Sequence, residues 1–147
     1  MNATILPAPL KGTIPAIPSK SDAHRLLILA ALSAGETRII MPLRSEDIDA
    51  TIGCLCALGA RIETMPDGVA VRGIEQTAKN PLLDCRESGS TFRFLLPVAA
   101  AVSDGVRFTG GGRLPERPIG ELMIAMAAHG VSFRSEEHTS ELQSLAY

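Results

Sequence analysis

The feature that most constrains this chain is an alternation of helix and strand signals that runs through it twice in the same order. In the first pass, Ser21 can cap a helix with Asp22 in its first turn. Leu26, Leu27, Ala30 and Ala31 supply the apolar face and Gly35 the stop. A strand at 37–41 comes next. Ser45 then caps a second helix, with Glu46 and Asp47 against its positive end and Ile48, Ile52 and Leu55 at helical spacing up to Gly59. Strands at 61–65 and 69–72 enclose Pro66-Asp67-Gly68, residues that suit a tight turn, so they predict a hairpin. In the second pass a short strand at 82–84 leads to a helix over 90–102, a strand at 106–109 and a helix from Pro118. Ile119, Leu122, Met123 and Met126 form that helix's apolar face, and Gly130 ends it. Repetition of this kind predicts an internally repeated α/β domain and argues against a single doubly wound sheet.

The two ends fall outside this pattern. Pro7, Pro9, Pro15 and Pro18 keep 1–18 extended, with at most short edge strands around 4–6 and 13–14. A strand is expected at Val131-Ser132-Phe133, but the polar run that follows does not read as a second hairpin. Its residues 134–144, RSEEHTSELQS, resemble one translated reading frame of a sequencing-library adapter, so the sequence reading assigns 134–147 to an artefactual tail.

Composition narrows the function classes. At 147 residues and 46% hydrophobic content the chain can bury a real core. Its 14 basic and 16 acidic residues give a formal charge of -2, which provides no bulk positive field for nucleic acid or an anionic membrane. Any anion has to be held locally. No stretch approaches the roughly 18 apolar residues of a membrane span, and the start lacks the basic and apolar regions of a signal peptide, so a cytoplasmic location is expected. Cys54, Cys56 and Cys85 cannot all pair and have no zinc-site spacing; they read as small hydrophobes.

Chemistry concentrates at three helix starts. Ser19-Lys20-Ser21, with Arg25 one turn on, brings backbone N–H groups, hydroxyls and cations to one end of a helix. Glu87-Ser88-Gly89-Ser90-Thr91-Phe92-Arg93 repeats the arrangement, with small residues that let a ligand approach the backbone. Gly110 to Pro118, GGGRLPERP, closes a glycine loop on Arg113 and Arg117, and arginine suits bidentate recognition of carboxylate or phosphate. Each cluster alone could be a plain cap beside a solvated cation. Together, in a slightly acidic chain, they indicate a small polyanionic ligand. The glycines match neither a P-loop nor a dinucleotide fingerprint.

The segments IPSKSDAHR, SEDIDAT, ESGSTFRF and GRLPERPIG stand here in the order and approximate spacing of the EPSP synthase family, which the chain resembles from about Leu6 to Phe133. The resemblance implies an α/β fold of repeated βαβαββ units, the inside-out α/β barrel of enolpyruvyl transferases, incomplete here. It implies that 1–18 belongs to a first domain and 19–133 to a partial second domain with about two units. It implies transfer of the enolpyruvyl group of phosphoenolpyruvate to the 5-hydroxyl of shikimate 3-phosphate, with no metal or organic cofactor, by an enzyme that is monomeric at full length. Motif by motif, Lys20, Ser21 and Arg25 would bind shikimate 3-phosphate, while Lys20, Gly89 and Arg117 would bind phosphoenolpyruvate. Asp47, Ser90 and Arg93 would support them. The family's remaining phosphate contacts and acid-base groups correspond to sequence beyond Phe133, so no catalytic residue is assigned in this chain and turnover by it alone is not expected. The enolpyruvyl transferases that act on UDP-N-acetylglucosamine are the alternative, but they use a Lys-Asn pair where this chain has Lys20-Ser21, and Arg113-Leu114-Pro115 also opposes them. A noncatalytic module that binds a phosphate metabolite is a further alternative.

Overall fold

The structure is a computed structural model that describes residues 4, 6–9, 11–14, 16–136 and 139–144. Helix α1 spans Lys20–Leu32, strand β1 Glu36–Ile40, helix α2 Glu46–Leu58, and strands β2 and β3 Arg61–Met65 and Gly68–Arg72. The second pass comprises β4 (Leu82–Asp84), α3 (Gly89–Val102), β5 (Gly105–Thr109), a 3-10 turn at Leu114–Glu116, α4 (Gly120–Ala127), β6 (Val131–Glu136) and β7 (Thr139–Ser144).

The strands form two sheets, ordered β1-β3-β2 and β4-β5-β7-β6. β3 pairs antiparallel with both its neighbours, placing Val71 opposite Thr37 on one side and Ile62 on the other. In the second sheet β7 takes the place of β3, antiparallel to β5 and β6, while β4 runs parallel to β5 through the α3 crossover. The second pass is therefore a complete βαβαββ unit. The first shows the same order without the leading parallel strand among the described residues.

Several expectations need correction. The second hairpin does form: the polar run supplies β7, whose register sets Leu142 opposite Val106 in β5 and opposite Phe133 in β6. Its backbone satisfies the open edge of β5, a demand that does not depend on a strongly apolar strand. The short edge strands expected at 4–6 and 13–14 are absent among the described residues. Leu6 and Ile14 are exposed there, with no neighbouring strand to pair their backbone. The cap of α1 is Ser19, two residues before the expected Ser21; its hydroxyl accepts from the Asp22 N–H at 3.3 Å. Ser88 caps α3 in the same way, accepting from the Thr91 N–H at 3.2 Å. Helix α4 begins at Gly120, two residues after the expected Pro118. Ile119 has a non-helical φ of -137°, and the Pro118 carbonyl accepts from the Arg93 guanidinium at 3.0 Å, outside any helical ladder.

The helices cover the inner faces of the sheets. Leu27 and Ala31 of α1, Leu55 and Leu58 of α2, Val69 and Val71 of β3, and Leu83 of β4 are fully buried in one cluster with Leu95 and Ala99 of α3. Phe108 of β5 meets Phe92 of α3 edge to face, with centroids 5.4 Å apart. Each buried leucine or valine among them contributes about 1.5–3 kcal/mol relative to exposure. This packing fixes the helices so that their starts share one end.

Candidate anion site at three helix starts

Lys20 is the first residue of α1, and its ammonium lies 2.6 Å from Oδ2 of Asp47 in the first turn of α2. Asp47 also ties in α3, because its backbone carbonyl accepts from the Thr91 hydroxyl at 3.1 Å. The positive ends of α1, α2 and α3 thus converge, an arrangement that favours an anion before any side chain is counted.

Gly89 opens α3. A Cβ there would stand 2.6 Å from Nη1 of Arg117 and 2.8 Å from Nη1 of Arg93, so both guanidinium groups close over this glycine. Arg93 is steadied by its bond to the Pro118 carbonyl, which ties α3 to the loop carrying Arg117. Two cations over a bare backbone at a helix start can grip a phosphate or a carboxylate. Glycine is needed for this approach.

The remaining expected residues are placed as follows. Arg25 sits on the exposed side of α1, 3.7 Å from Asp22, and its guanidinium carbon lies 5.6 Å from the Phe94 ring centroid, which links α1 to α3. Ser21 and Ser90 occupy the first turns of α1 and α3. Arg113 turns outward to Glu116 at 4.0 Å and is 87% exposed, so Arg117 is the arginine of the glycine loop that faces Gly89. Close contacts join Lys20 to Asp47, and Gly89 to Arg93 and Arg117; the two groups meet through Thr91.

Sequence reasoning missed what lies beneath these groups. His24 of α1 is fully buried, and its Nδ1 is 2.7 Å from the Thr51 hydroxyl of α2. Thr51 is 2.7 Å from the Thr91 hydroxyl, and Thr91 reaches Ser88 Oγ at 2.7 Å. Burial pushes the His24 imidazole below its ordinary value, an effect opposed by the nearby Asp47 charge and reinforced by Lys20. A sequence signal existed: His24 shares the α1 face of Ala23, Leu27 and Ala31, where a polar side chain needs a partner.

The cysteines take no part in this site. Cys54 and Cys85 are buried, and Cys54 donates to the Asp84 carbonyl at 3.3 Å; Cys56 is exposed, unlike a core hydrophobe. A hydrogen bond with Cys54, together with burial, pushes the Cys85 thiol far up, so it stays protonated and inert. Among the described residues no group of three or more His, Cys, Asp or Glu side chains is placed to hold a metal ion. No helix among them is long and apolar enough to cross a membrane.

The family model described as EPSP synthase (3-phosphoshikimate 1-carboxyvinyltransferase) matches residues 6–144. The chain is 38% identical over 134 residues to the 3-phosphoshikimate 1-carboxyvinyltransferase of Clostridium kluyveri, covering 90% of this chain and 32% of that protein. It is 43% identical over 133 residues to the protein of the same name from Methanosphaerula palustris, covering 87% of this chain and 31% of the relative. The chain therefore spans about a third of the length of the curated relatives it matches. In fold it is similar to the EPSP synthase of Acinetobacter baumannii, with a TM-score of 0.76 at 23% identity over 90% of this chain and 32% of that one. It is also similar to the enolpyruvyl transferase NikO of Streptomyces tendae, with a TM-score of 0.60 at 14% identity over 87% and 30% of the two chains. With its family model matched over nearly its whole length and its fold shared with a solved EPSP synthase, the chain belongs to the EPSP synthase family.

Proposed function

We propose that this chain supplies the anion-gripping part of an enzyme that transfers the enolpyruvyl group of phosphoenolpyruvate to the 5-hydroxyl of shikimate 3-phosphate. A bond forms between that hydroxyl oxygen and C2 of phosphoenolpyruvate, the bond from C2 to the phosphate oxygen breaks, and phosphate leaves, the hydroxyl proton ending in the overall balance on the released phosphate. The observation that carries this reading is the closure of Arg93 and Arg117 over Gly89 at a helix start knitted to that of Lys20. Each substrate bears a phosphate and a carboxylate, and the two molecules repel unless cations and helix ends neutralise them.

In this reading Lys20, Ser21 and Arg25 hold shikimate 3-phosphate. Lys20 also reaches phosphoenolpyruvate, which Gly89 and Arg117 bind against the backbone. Asp47 orients Lys20, Arg93 backs Arg117, and Ser90 supports the start of α3. The main contribution of these residues is to position the two anions for attack. Acid-base groups come from the part of the enzyme outside this segment, which acts as a monomer in the cytoplasm without metal or organic cofactor. The test is phosphate release by the full-length enzyme that carries this segment. Release should require both substrates and fall by most of its rate in Lys20→Ala; unchanged turnover in that variant would contradict the assignment.

A further inference from the structure

We propose that His24 and Thr51 are positioning residues for the anion site: His24, neutral and protonated on Nδ1, orders a one-way chain of hydroxyls through Thr51 and Thr91 to Ser88 and the Asp47 carbonyl, holding three helix starts in register. The proposal rests on the function given above for what the site binds, but the order of the chain stands on geometry alone.

His24, Thr51, Thr91 and Ser88 are all buried, with exposures of 0%, 0%, 0% and 1%. Each hydroxyl has one proton to give. Ser88 Oγ receives the Thr91 N–H at 3.2 Å and lies 2.7 Å from Thr91 Oγ1. Thr51 and Thr91 also both reach the Asp47 carbonyl, at 3.3 and 3.1 Å. Two directions are possible. If Nδ1 accepts, the imidazole proton sits on Nε2, which is buried with no protein partner among the described residues. An orphaned buried N–H is rarer than an orphaned acceptor. The chain therefore runs outward from an Nδ1–H donor: Thr51 accepts from His24 and donates to Thr91, the nearer of its two acceptors at 2.7 Å against 3.3 Å, and Thr91 donates to Ser88 or to the Asp47 carbonyl.

The consequence for the site follows from what the chain joins. It begins in α1 four residues from Lys20, crosses α2 one turn from Asp47, and ends at the cap beside Gly89. The charged groups facing it are Asp47 and Lys20, with Arg25 stacked on the Phe94 ring that meets His24 edge to face at 6.1 Å. Protonation of His24 would add a second N–H where no acceptor stands among the described residues, so the chain holds His24 neutral.

The test uses the 15N-labelled chain. Long-range proton–nitrogen spectra should show His24 with its proton on Nδ1 and still neutral at its ordinary value of 6.5. An Nε2–H tautomer, or an imidazolium at that pH, overturns the proposal. Thr51→Val keeps the volume and removes the hydroxyl, while Thr51→Ser keeps the hydroxyl and removes a methyl. Val should shift the amide resonances of Asp47, Ser88 and Gly89 and weaken phosphoenolpyruvate binding about tenfold, with Ser close to wild type. A purely packing role predicts the reverse order and would overturn it. If the full-length enzyme that carries this segment binds no phosphoenolpyruvate, the proposed function fails, and the tautomer still decides the order of the chain.

Discussion

Gly89 and Arg117 are packed so closely that a Cβ on the glycine would lie 2.6 Å from the arginine's Nη1, although α3, β5 and the glycine loop fold between them. The contact joins the start of α3 to the loop before α4. Gly89→Ala should therefore displace Arg117 and Arg93 and weaken phosphoenolpyruvate binding at least tenfold, measured by calorimetry. Stability should change by less than about 1 kcal/mol, because the displaced atoms end flexible side chains and alanine is the better helix former. An unchanged affinity would show that the arginines do not grip the ligand over Gly89.

The Lys20–Asp47 pair has side-chain exposures of 52% and 30%, so its effect on stability is small. Asp47→Asn should cost at most about 1 kcal/mol in urea unfolding. A much larger loss would mean that the pair is a structural clamp and not an element of the site.

His24 gives stability a pH dependence of definite sign. Burial makes the folded protein harder to protonate than the unfolded chain, so the unfolded state binds more protons as pH falls below 6.5. The associated stability is present in full above that value and is lost as pH falls towards the lower folded value. The loss per pH unit cannot exceed about 1.4 kcal/mol for one group. Unfolding at about pH 7.5 and about pH 5.5 should show a drop that shrinks in His24→Asn; equal slopes would contradict this.

Gly68 sits at the turn of the first hairpin with its α-carbon against the Ile39 carbonyl of β1; a Cβ would also come within 2.9 Å of the Met41 nitrogen. Both neighbours are backbone, one in β1 and the other bonded to the Asp67 carbonyl at 2.8 Å, and neither can swing aside. Gly68→Ala should destabilise the protein by about 2–4 kcal/mol, read from the urea midpoint at constant m-value.

Most of the order of elements was legible in the sequence because apolar spacing and glycine stops are local signals. Leu27 and Ala31, or Leu55 and Gly59, announce their helices without tertiary help. The errors lie where tertiary contacts decide. Pro118 looks like a helix start, but its carbonyl is taken by Arg93, 25 residues earlier in the chain. The polar run after Phe133 looks unlike a strand, but β5 offers it a backbone edge. Within the site, Lys20, Gly89 and Arg117 stand out as residue types at helix starts and loops. The pairing of Gly89 with Arg117, and the buried path from His24 to Ser88, depend on how α1, α2 and α3 pack, which no local pattern states.

The central claim is that cations at these helix starts hold a phosphorylated carboxylate, and calorimetric titration of shikimate 3-phosphate into the full-length enzyme that carries this segment, as wild type and as Lys20→Ala, tests it most directly. A charge-assisted hydrogen bond contributes about 1.5–3 kcal/mol, so the variant should bind about ten- to a hundredfold more weakly while keeping the circular dichroism of the wild type. Equal affinities in two folded proteins, or no binding by the wild type, would contradict the account.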